Sequence, residues 1–196
     1  MGAFALAYFL LVITPGPGVL STAGVGSAYG FRPGLRYLTG LWLGNNLVAL
    51  AVVSGVAAIV LATPWLRIAL TVASAAYLLY LAAKIAFSGS KIAFIHSETA
   101  PGFVNGVLLQ VINPKAYAVN TTMFSGFAFM PDNLLHEAMI KFLIANSLWI
   151  PIHFAWLGAG VMLDRLDLAP HWHRIINIGM ALAMLGVVAL ATLYRS

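Results

Sequence analysis

The chain contains no cysteine and only five acidic residues among its 196. Without cysteine it forms neither disulfides nor thiolate metal sites. Asp, Glu, Lys and Arg together make up 8% of the residues, against about 25% in an average globular protein. A soluble domain of this length has too much surface to leave with so few charges. The composition therefore excludes an ordinary soluble domain, and with it a soluble enzyme domain.

Apolar residues take the place of the missing charges and account for 62% of the chain. A helix needs about 20 predominantly apolar residues to cross a bilayer. Six segments reach that length, at residues 2–28, 37–62, 63–87, 102–129, 137–163 and 173–194. None alternates as a barrel strand does, and the first lacks the charged start and cleavage site of a signal peptide. We therefore predict an all-α membrane protein with about six transmembrane helices in one domain, residues 1–196.

The net charge of +5 is better explained by membrane orientation than by a nucleic-acid partner, because the ten Lys and Arg residues form no basic patch. Those in or beside the odd-numbered loops are Arg32, Arg36, Lys84, Lys91, Arg165 and Arg174. Those in or beside the even-numbered loops and the tail are Arg67, Lys141 and Arg195. Since positive residues favour the cytoplasmic side, both termini are predicted to lie outside.

Two of the predicted spans are interrupted near their middle by proline. The first contains Thr14-Pro15-Gly16-Pro17-Gly18, and the fourth contains Asn113-Pro114-Lys115. Pro15 and Pro114 are 99 residues apart, about half of the chain. Each half, residues 1–90 and 99–196, would hold three spans, and an odd number makes a duplicated half insert upside down. The pattern predicts two inverted three-helix repeats with broken first and fourth helices.

Each break offers polar backbone groups at membrane depth. Proline lacks an N–H and clashes with the carbonyl four residues earlier, so each break frees carbonyls, that of Gln110 among them. Freed carbonyls must find protein, water or a ligand, and they suit an ammonium group. The amino terminus of a half-helix carries partial positive charge and suits a carboxylate. Two such breaks could grip both ends of an amino acid; the alternative is a pair of proline kinks satisfied by neighbouring helices.

The segments around these breaks resemble the lysine exporter (LysE/RhtB) family of bacterial amino-acid exporters. The resemblance rests on TPGPG at 14–18, YGFRPGLRYLTGLWLGN at 29–45, AAYLLYLAAKI at 75–85 and FVNGVLLQVINPKA at 103–116. It implies a small six-helix protein of the bacterial inner membrane, forming a homodimer, that exports amino acids or close derivatives using the proton gradient. It does not fix the substrate, since family members handle compounds as different as lysine, threonine and leucine, and relatives are assigned to metal cations.

One departure from that family narrows the expected substrate. Many relatives carry an acidic residue after the glycines of the second helix, where this chain has Asn45 and Asn46. The acidic residues here lie in predicted loops or at the ends of spans: Glu98, Asp132, Glu137, Asp164 and Asp167. A cationic substrate would need a buried counter-charge, and a divalent metal would need carboxylate ligands. We therefore expect a neutral amino acid, no metal and no cofactor. No catalytic triad or phosphate loop suggests an enzyme.

The predicted substrate site combines the two breaks with two asparagines of the second span. Its residues are Thr14, Pro15, Gly16, Pro17, Gly18, Asn45, Asn46, Asn113, Pro114 and Lys115. Lys115 is expected to contact a substrate carboxylate or to gate, or else to anchor the span at the cytoplasmic interface. His153 is the candidate proton carrier, with a neutral histidine bonded to a neighbouring helix as the alternative. For the asparagines, the alternative is hydrogen bonding between helices.

The sequence thus predicts a secondary transporter that exports amino acids, with lipid around it and the substrate held between the breaks while the two halves rock. Two other functions stay open. One is a metal-cation exporter on the same fold, and the other is a non-transporting assembly or regulatory protein, in which Lys115 would matter only for stability. Gly40 and Gly44, like Gly102 and Gly106, have the spacing of close helix packing.

Overall fold

The computed structural model describes residues 1–55, 57, 58, 62–86 and 99–165, and separately 171, 172, 175, 176, 178, 179 and 182. Within these residues there are seven helices and no strand. They are α1 (Gly2–Ile13), α2 (Pro17–Tyr29), α3 (Phe31–Val53), α4 (Pro64–Ala86), α5 (Phe103–Ile112), α6 (Pro114–Gly126) and α7 (Leu134–Arg165). The prediction of an all-α membrane protein is confirmed.

Both proline interruptions break their helices where the sequence predicts. α1 ends at Ile13 and α2 begins at Pro17, with the two axes 50° apart. α5 ends at Ile112 and α6 begins at Pro114. In each pair the second helix starts with proline, whose missing N–H costs no hydrogen bond at that position. The broken first and fourth spans are therefore confirmed, whereas the inverted relation of the two halves stays a prediction.

The described helices differ in how well they suit a bilayer. Two are long and apolar enough to cross alone, over Pro64–Ala83 and Leu134–Leu163, and the bent pair α1–α2 counts as a third. α3 has 23 residues, as many as α4, but Arg32 and Arg36 lie in its first two turns and Asn45 and Asn46 lie in its second half. The predicted sixth span, 173–194, lies almost wholly outside the described residues, as does most of the connection between the predicted third and fourth spans.

The first connection is shorter than predicted. The sequence predicts a loop over residues 29–36, but α3 begins at Phe31, so only Gly30 separates it from α2. Gly30 has a φ of 81°, a left-handed conformation that glycine adopts without steric penalty. Pro33 is tolerated because the N–H groups of a helix's first turn have no acceptor within the helix.

Helices approach most closely where glycines face them. A Cβ on Gly106 would lie 2.2 Å from the carbonyl oxygen of Tyr37, so α5 and α3 meet backbone to backbone. A Cβ on Gly160 would lie 2.1 Å from the carbonyl oxygen of Ala23, so α7 and α2 meet in the same way. These two contacts are the most extensive in the described part of the chain. Each broken span therefore packs against the unbroken second span of the other half.

Two charged residues lie differently from what the sequence predicts. Lys141 is counted there with the loop charges and Glu137 is placed at the end of a span, yet both are buried within α7. Lys141 Nζ lies 2.7 Å from a carboxylate oxygen of Glu137, one helical turn earlier. The sequence does not predict this burial, because the pair is covered by the end of α6 and no residue pattern along α7 indicates it.

Replacing Gly106 with alanine should destabilise the protein, because its Cβ would meet backbone atoms of α3 that cannot move aside cheaply. Overpacking of this kind costs about 1–3 kcal/mol. The matched control is Gly158→Ala on α7, where nothing lies within 4 Å of the added carbon. Thermal unfolding of the purified protein should show a lower midpoint for Gly106→Ala only. Equal shifts in both variants would contradict the packing assigned to α3 and α5.

Candidate functional site between the helix breaks

The two helix breaks meet in one cavity. Lys115, in the first turn of α6, donates a hydrogen bond of 2.9 Å from Nζ to the backbone carbonyl of Thr14, directly after α1. The cavity around this contact is partly open and has a volume of about 50 Å³. The fold thus joins two residues that are 101 positions apart in the sequence.

Most of the predicted site residues line this cavity: Thr14, Gly16, Gly18, Asn45, Asn113, Lys115 and His153. The three prolines of the breaks are not among the lining residues, and they act by ending and starting helices. Sequence reasoning missed three polar or aromatic lining residues, Tyr8, Gln110 and Trp149. Gln110 could be found from the sequence, since it lies four residues before Pro114 and carries a polar side chain next to the break.

Asn46 lies outside the cavity and faces α7. Its side-chain amide and that of Asn146 donate to each other's oxygen, at 3.1 and 2.9 Å. Each amide also donates to the carbonyl four residues earlier in its own helix. Trp42 Nε1 donates a further hydrogen bond of 2.6 Å to Asn146. Asn46 therefore forms hydrogen bonds between helices, which the sequence left open as the alternative to a role in substrate binding.

The glycines of the first break leave room for nitrogen-bearing side chains from three other helices. A Cβ on Gly16 would lie 2.7 Å from Nζ of Lys115, so a larger residue there would displace the lysine. A Cβ on Gly18 would lie 3.5 Å from Nε2 of His153 and 3.8 Å from Nε2 of Gln110. Side chains of α5, α6 and α7 thus converge on the first turn of α2.

The break between α5 and α6 is sealed by its own residues. Asn113 is the N-cap of α6, and its Oδ1 accepts a hydrogen bond of 3.0 Å from the backbone N–H of Lys115. Its Nδ2 donates to Oε1 of Gln110 at 3.1 Å, and its backbone N–H donates to the Gln110 carbonyl at 3.2 Å. The carbonyl that the proline releases is therefore satisfied inside the protein.

The break between α1 and α2 is different because the N-cap of α2 is Gly16, which has no side chain to cap the helix. Gly18 and Val19, in the first turn, line the cavity. N–H groups in the first turn of a helix lack acceptors within the helix and attract anions. The positive end of α2 thus faces the cavity uncapped, beside the ammonium group of Lys115.

His153 presents one ring nitrogen to the cavity. The residue is 3% exposed, and its ring stacks on that of Trp149 with centroids 3.5 Å apart. Its Nδ1 lies 2.9 Å from the backbone carbonyl of Trp149. Because a carbonyl only accepts, Nδ1 carries a proton, and in the neutral ring Nε2 is a hydrogen-bond acceptor. This hydrogen bond lies within α7, whereas the alternative drawn from the sequence placed it between His153 and a neighbouring helix.

The cavity combines a cation with neutral polar groups. Among its described lining residues none is acidic, and Lys115 is the lone lysine or arginine. The Tyr8 hydroxyl hydrogen-bonds the Asn45 side chain, which also accepts 3.2 Å from Asn120. In the described part of the chain, no three residues of the types His, Cys, Asp and Glu are grouped to hold a metal ion. The charge balance favours a group such as a carboxylate over a cation.

The family relationship agrees with this arrangement. The family described as LysE type translocator matches residues 9–196. The chain is 28% identical over 185 residues to the cysteine/O-acetylserine efflux protein of Salmonella paratyphi A, covering 94% of this chain and 93% of the relative. It is 26% identical over 184 residues to the protein of that name from Escherichia coli K12, with the same coverage. No solved structure gives a significant match. The resemblance read from the sequence is thus confirmed: the chain belongs to the LysE type translocator family, whose members are transporters and not enzymes.

Proposed function

We propose that this protein exports small neutral amino acids across the bacterial inner membrane and binds them in the cavity between the two helix breaks. The observation that carries the proposal is the contact of Lys115 with the Thr14 carbonyl, which joins both breaks at one point. Curated relatives at 28% identity are named cysteine/O-acetylserine efflux proteins, and both named compounds are small amino acids without a charged side chain. Such a substrate suits a cavity lined by one lysine and no acid.

The substrate carboxylate is assigned to Lys115 and the uncapped first turn of α2. A carboxylate that binds Nζ competes with the Thr14 carbonyl, which Nζ otherwise holds at 2.9 Å. The released carbonyl and Nε2 of His153 are then acceptors for the substrate ammonium. Substrate binding thus replaces one contact inside the protein, between Lys115 and Thr14, with one contact at each end of the amino acid.

A cationic amino acid or a metal ion suits the cavity less well. A second positive charge would lie near Lys115, and no described lining residue carries a negative charge to offset it. A divalent metal would have to rely on His153, amides and backbone carbonyls, a weak ligand set for such an ion. The metal-exporter alternative therefore has no structural observation in its favour.

We assign proton coupling to His153. Its Nε2 faces the cavity, and no hydrogen bond to this atom occurs among the described residues. A proton on Nε2 would remove the acceptor offered to the substrate ammonium and add a charge near Lys115. Proton and substrate would therefore exclude each other from the cavity, which is the condition for exchanging one against the other across the membrane.

We also infer that the two halves are inverted repeats that rock about the Asn46–Asn146 pair. The two asparagines are 100 residues apart, close to the 99 between Pro15 and Pro114. Each makes the same two contacts, one across to its mate and one back to its own helix. Equivalent residues touch each other only on the axis that relates the halves. We further propose that both termini lie on the outer side of the membrane and that the protein forms a homodimer.

Counterflow in proteoliposomes tests the substrate class. Vesicles preloaded with unlabelled amino acids should accumulate labelled cysteine, threonine or leucine, because each presents a carboxylate and an ammonium without a further charge. Labelled lysine should not accumulate, since no acidic residue lines the cavity. Empty liposomes are the control. Accumulation of lysine alone, or of none of these from folded protein, would contradict the proposal.

Lys115→Met should lower the rate of counterflow about tenfold or more, because the substrate carboxylate loses its charged partner. Lys115→Arg should retain part of the flux, since it keeps the charge with a different shape. Arg32→Gln, which removes an exposed cation outside the cavity, is the matched control and should transport normally. Each variant is first checked for insertion and a monodisperse elution profile. Normal flux in a well-folded Lys115→Met protein would refute the assigned role.

His153→Asn should still exchange substrate, with a weaker affinity because one acceptor for the ammonium is lost, but it should lose accumulation driven by a pH gradient. Asparagine keeps a donor for the Trp149 carbonyl and offers no titratable nitrogen to the cavity. The control is His136→Asn, an exposed histidine near the start of the same helix. A gradient that drives equal accumulation in His153→Asn and in the unmodified protein would exclude His153 as the proton carrier.

A further inference from the structure

A buried ion pair ties the end of α6 to the start of α7. The side chains of Lys141 and Glu137 are 2% and 6% exposed, and their charged atoms are 2.7 Å apart. Lys141 also donates 2.8 Å to the backbone carbonyl of Phe124, in the last turn of α6. The second carboxylate oxygen of Glu137 accepts hydrogen bonds from the backbone N–H groups of Phe129 and Met130. The pair thus fastens α6 and the α6–α7 connection to α7.

Aromatic rings connect this ion pair with the cavity. The aromatic layer consists of Phe4, Phe124, Phe127 and Phe129, with the ring of Phe4 6.2–6.4 Å from the other three. The Lys141 ammonium lies 5.8 Å from the centroid of Phe4 and 5.6 Å from that of Phe129. On its other side Phe4 stacks with Tyr8 at 6.0 Å, and Tyr8 lines the cavity. The layer therefore lies between the cavity and the side of the protein on which α1 begins.

α6 links the cavity to the ion pair as one uninterrupted helix of 13 residues. Lys115 in its first turn holds the Thr14 carbonyl, and the carbonyl of Phe124 in its last turn is held by Lys141. At about 1.5 Å per residue these positions are roughly 14 Å apart along a rigid rod. A shift of α6 as a rigid helix would therefore change both the contact of Lys115 with Thr14 and the contact of Phe124 with Lys141.

Stability alone is a weak reason for the buried pair. Taking two charges out of water costs free energy that their mutual attraction offsets only with good geometry, and well-packed apolar residues of similar volume are often at least as stabilising. An ion pair differs from an apolar contact because entry of water weakens the attraction between its charges and loss of water strengthens it. Its hydrogen bonds to the end of α6 and to the α6–α7 connection place it where such separation would open a path.

We propose that Glu137, Lys141 and the aromatic layer form the gate between the cavity and the side on which α1 begins. When α6 shifts, Phe124 leaves Lys141, the rings part and water enters beside the ion pair. When α6 returns, the pair and the rings close the cavity again. The inference rests on the proposed transport function, but the position of the gate does not depend on which amino acid is carried.

Cysteine labelling tests the gate without any substrate, because the chain has no cysteine of its own. Val119→Cys places a thiol in the cavity, and Asp132→Cys, exposed in the α6–α7 connection, marks the gate side in a separate protein. A membrane-impermeant maleimide is applied from each side, using intact cells and inside-out vesicles. In the Glu137→Gln/Lys141→Met background the cavity thiol should react about fivefold or more faster from the gate side only. Asp132→Asn, which removes an exposed acid from the same connection, is the matched control and should leave the rate unchanged.

An unchanged rate, or equal increases from both sides, would overturn the gate. If the double variant fails to fold, a cleavable bifunctional thiol reagent applied to Phe4→Cys/Phe129→Cys takes its place. Cross-linking should stop counterflow and cleavage should restore it, whereas full counterflow in the cross-linked protein would overturn the proposal. Counterflow by the unmodified protein reports the transport function separately. A failure there with normal labelling would refute the substrate assignment and leave the gate standing.

Discussion

The structure depends on one constraint, that backbone polar groups released at membrane depth need a partner in protein, water or a ligand. Proline breaks two helices within the bilayer and so releases carbonyl and N–H groups that lipid cannot satisfy. The protein answers with side chains of neighbouring helices, and the Lys115 ammonium on the Thr14 carbonyl is the contact that joins both breaks. The glycines nearby follow from the same constraint, because a Cβ on Gly16 would occupy the position of that lysine.

Both breaks are made by proline, but they differ in chemistry. Asn113 seals the start of α6 with its own side chain, whereas Gly16 leaves the start of α2 uncapped. Positive potential at the cavity therefore comes from α2 and from Lys115, and no described acidic residue opposes it there. This asymmetry gives the cavity a preferred orientation for a molecule with one negative and one positive end, which two equally open breaks would lack.

The contacts between helices differ in how easily they can change. Backbone contact through glycine joins each broken span to the second span of the other half, and such contact cannot loosen gradually. The reciprocal amides of Asn46 and Asn146 join the two second spans, α3 and α7. The ion pair of Glu137 and Lys141, by contrast, uses long side chains to hold a helix end and a connection. Rigid and adjustable contacts thus occupy different parts of one small protein.

The sequence by itself determined the all-helical class, the membrane as solvent and the positions of both breaks, because composition, segment length and proline act locally. It also determined the family, through motifs that surround those breaks. Only the tertiary structure decided that Asn45 lines the cavity while Asn46 bonds α7, since adjacent helical residues point about 100° apart and nothing local says which faces the interior. The buried state of Lys141 was likewise decided by the end of α6, which lies 17 residues earlier in the chain and closes over it in space.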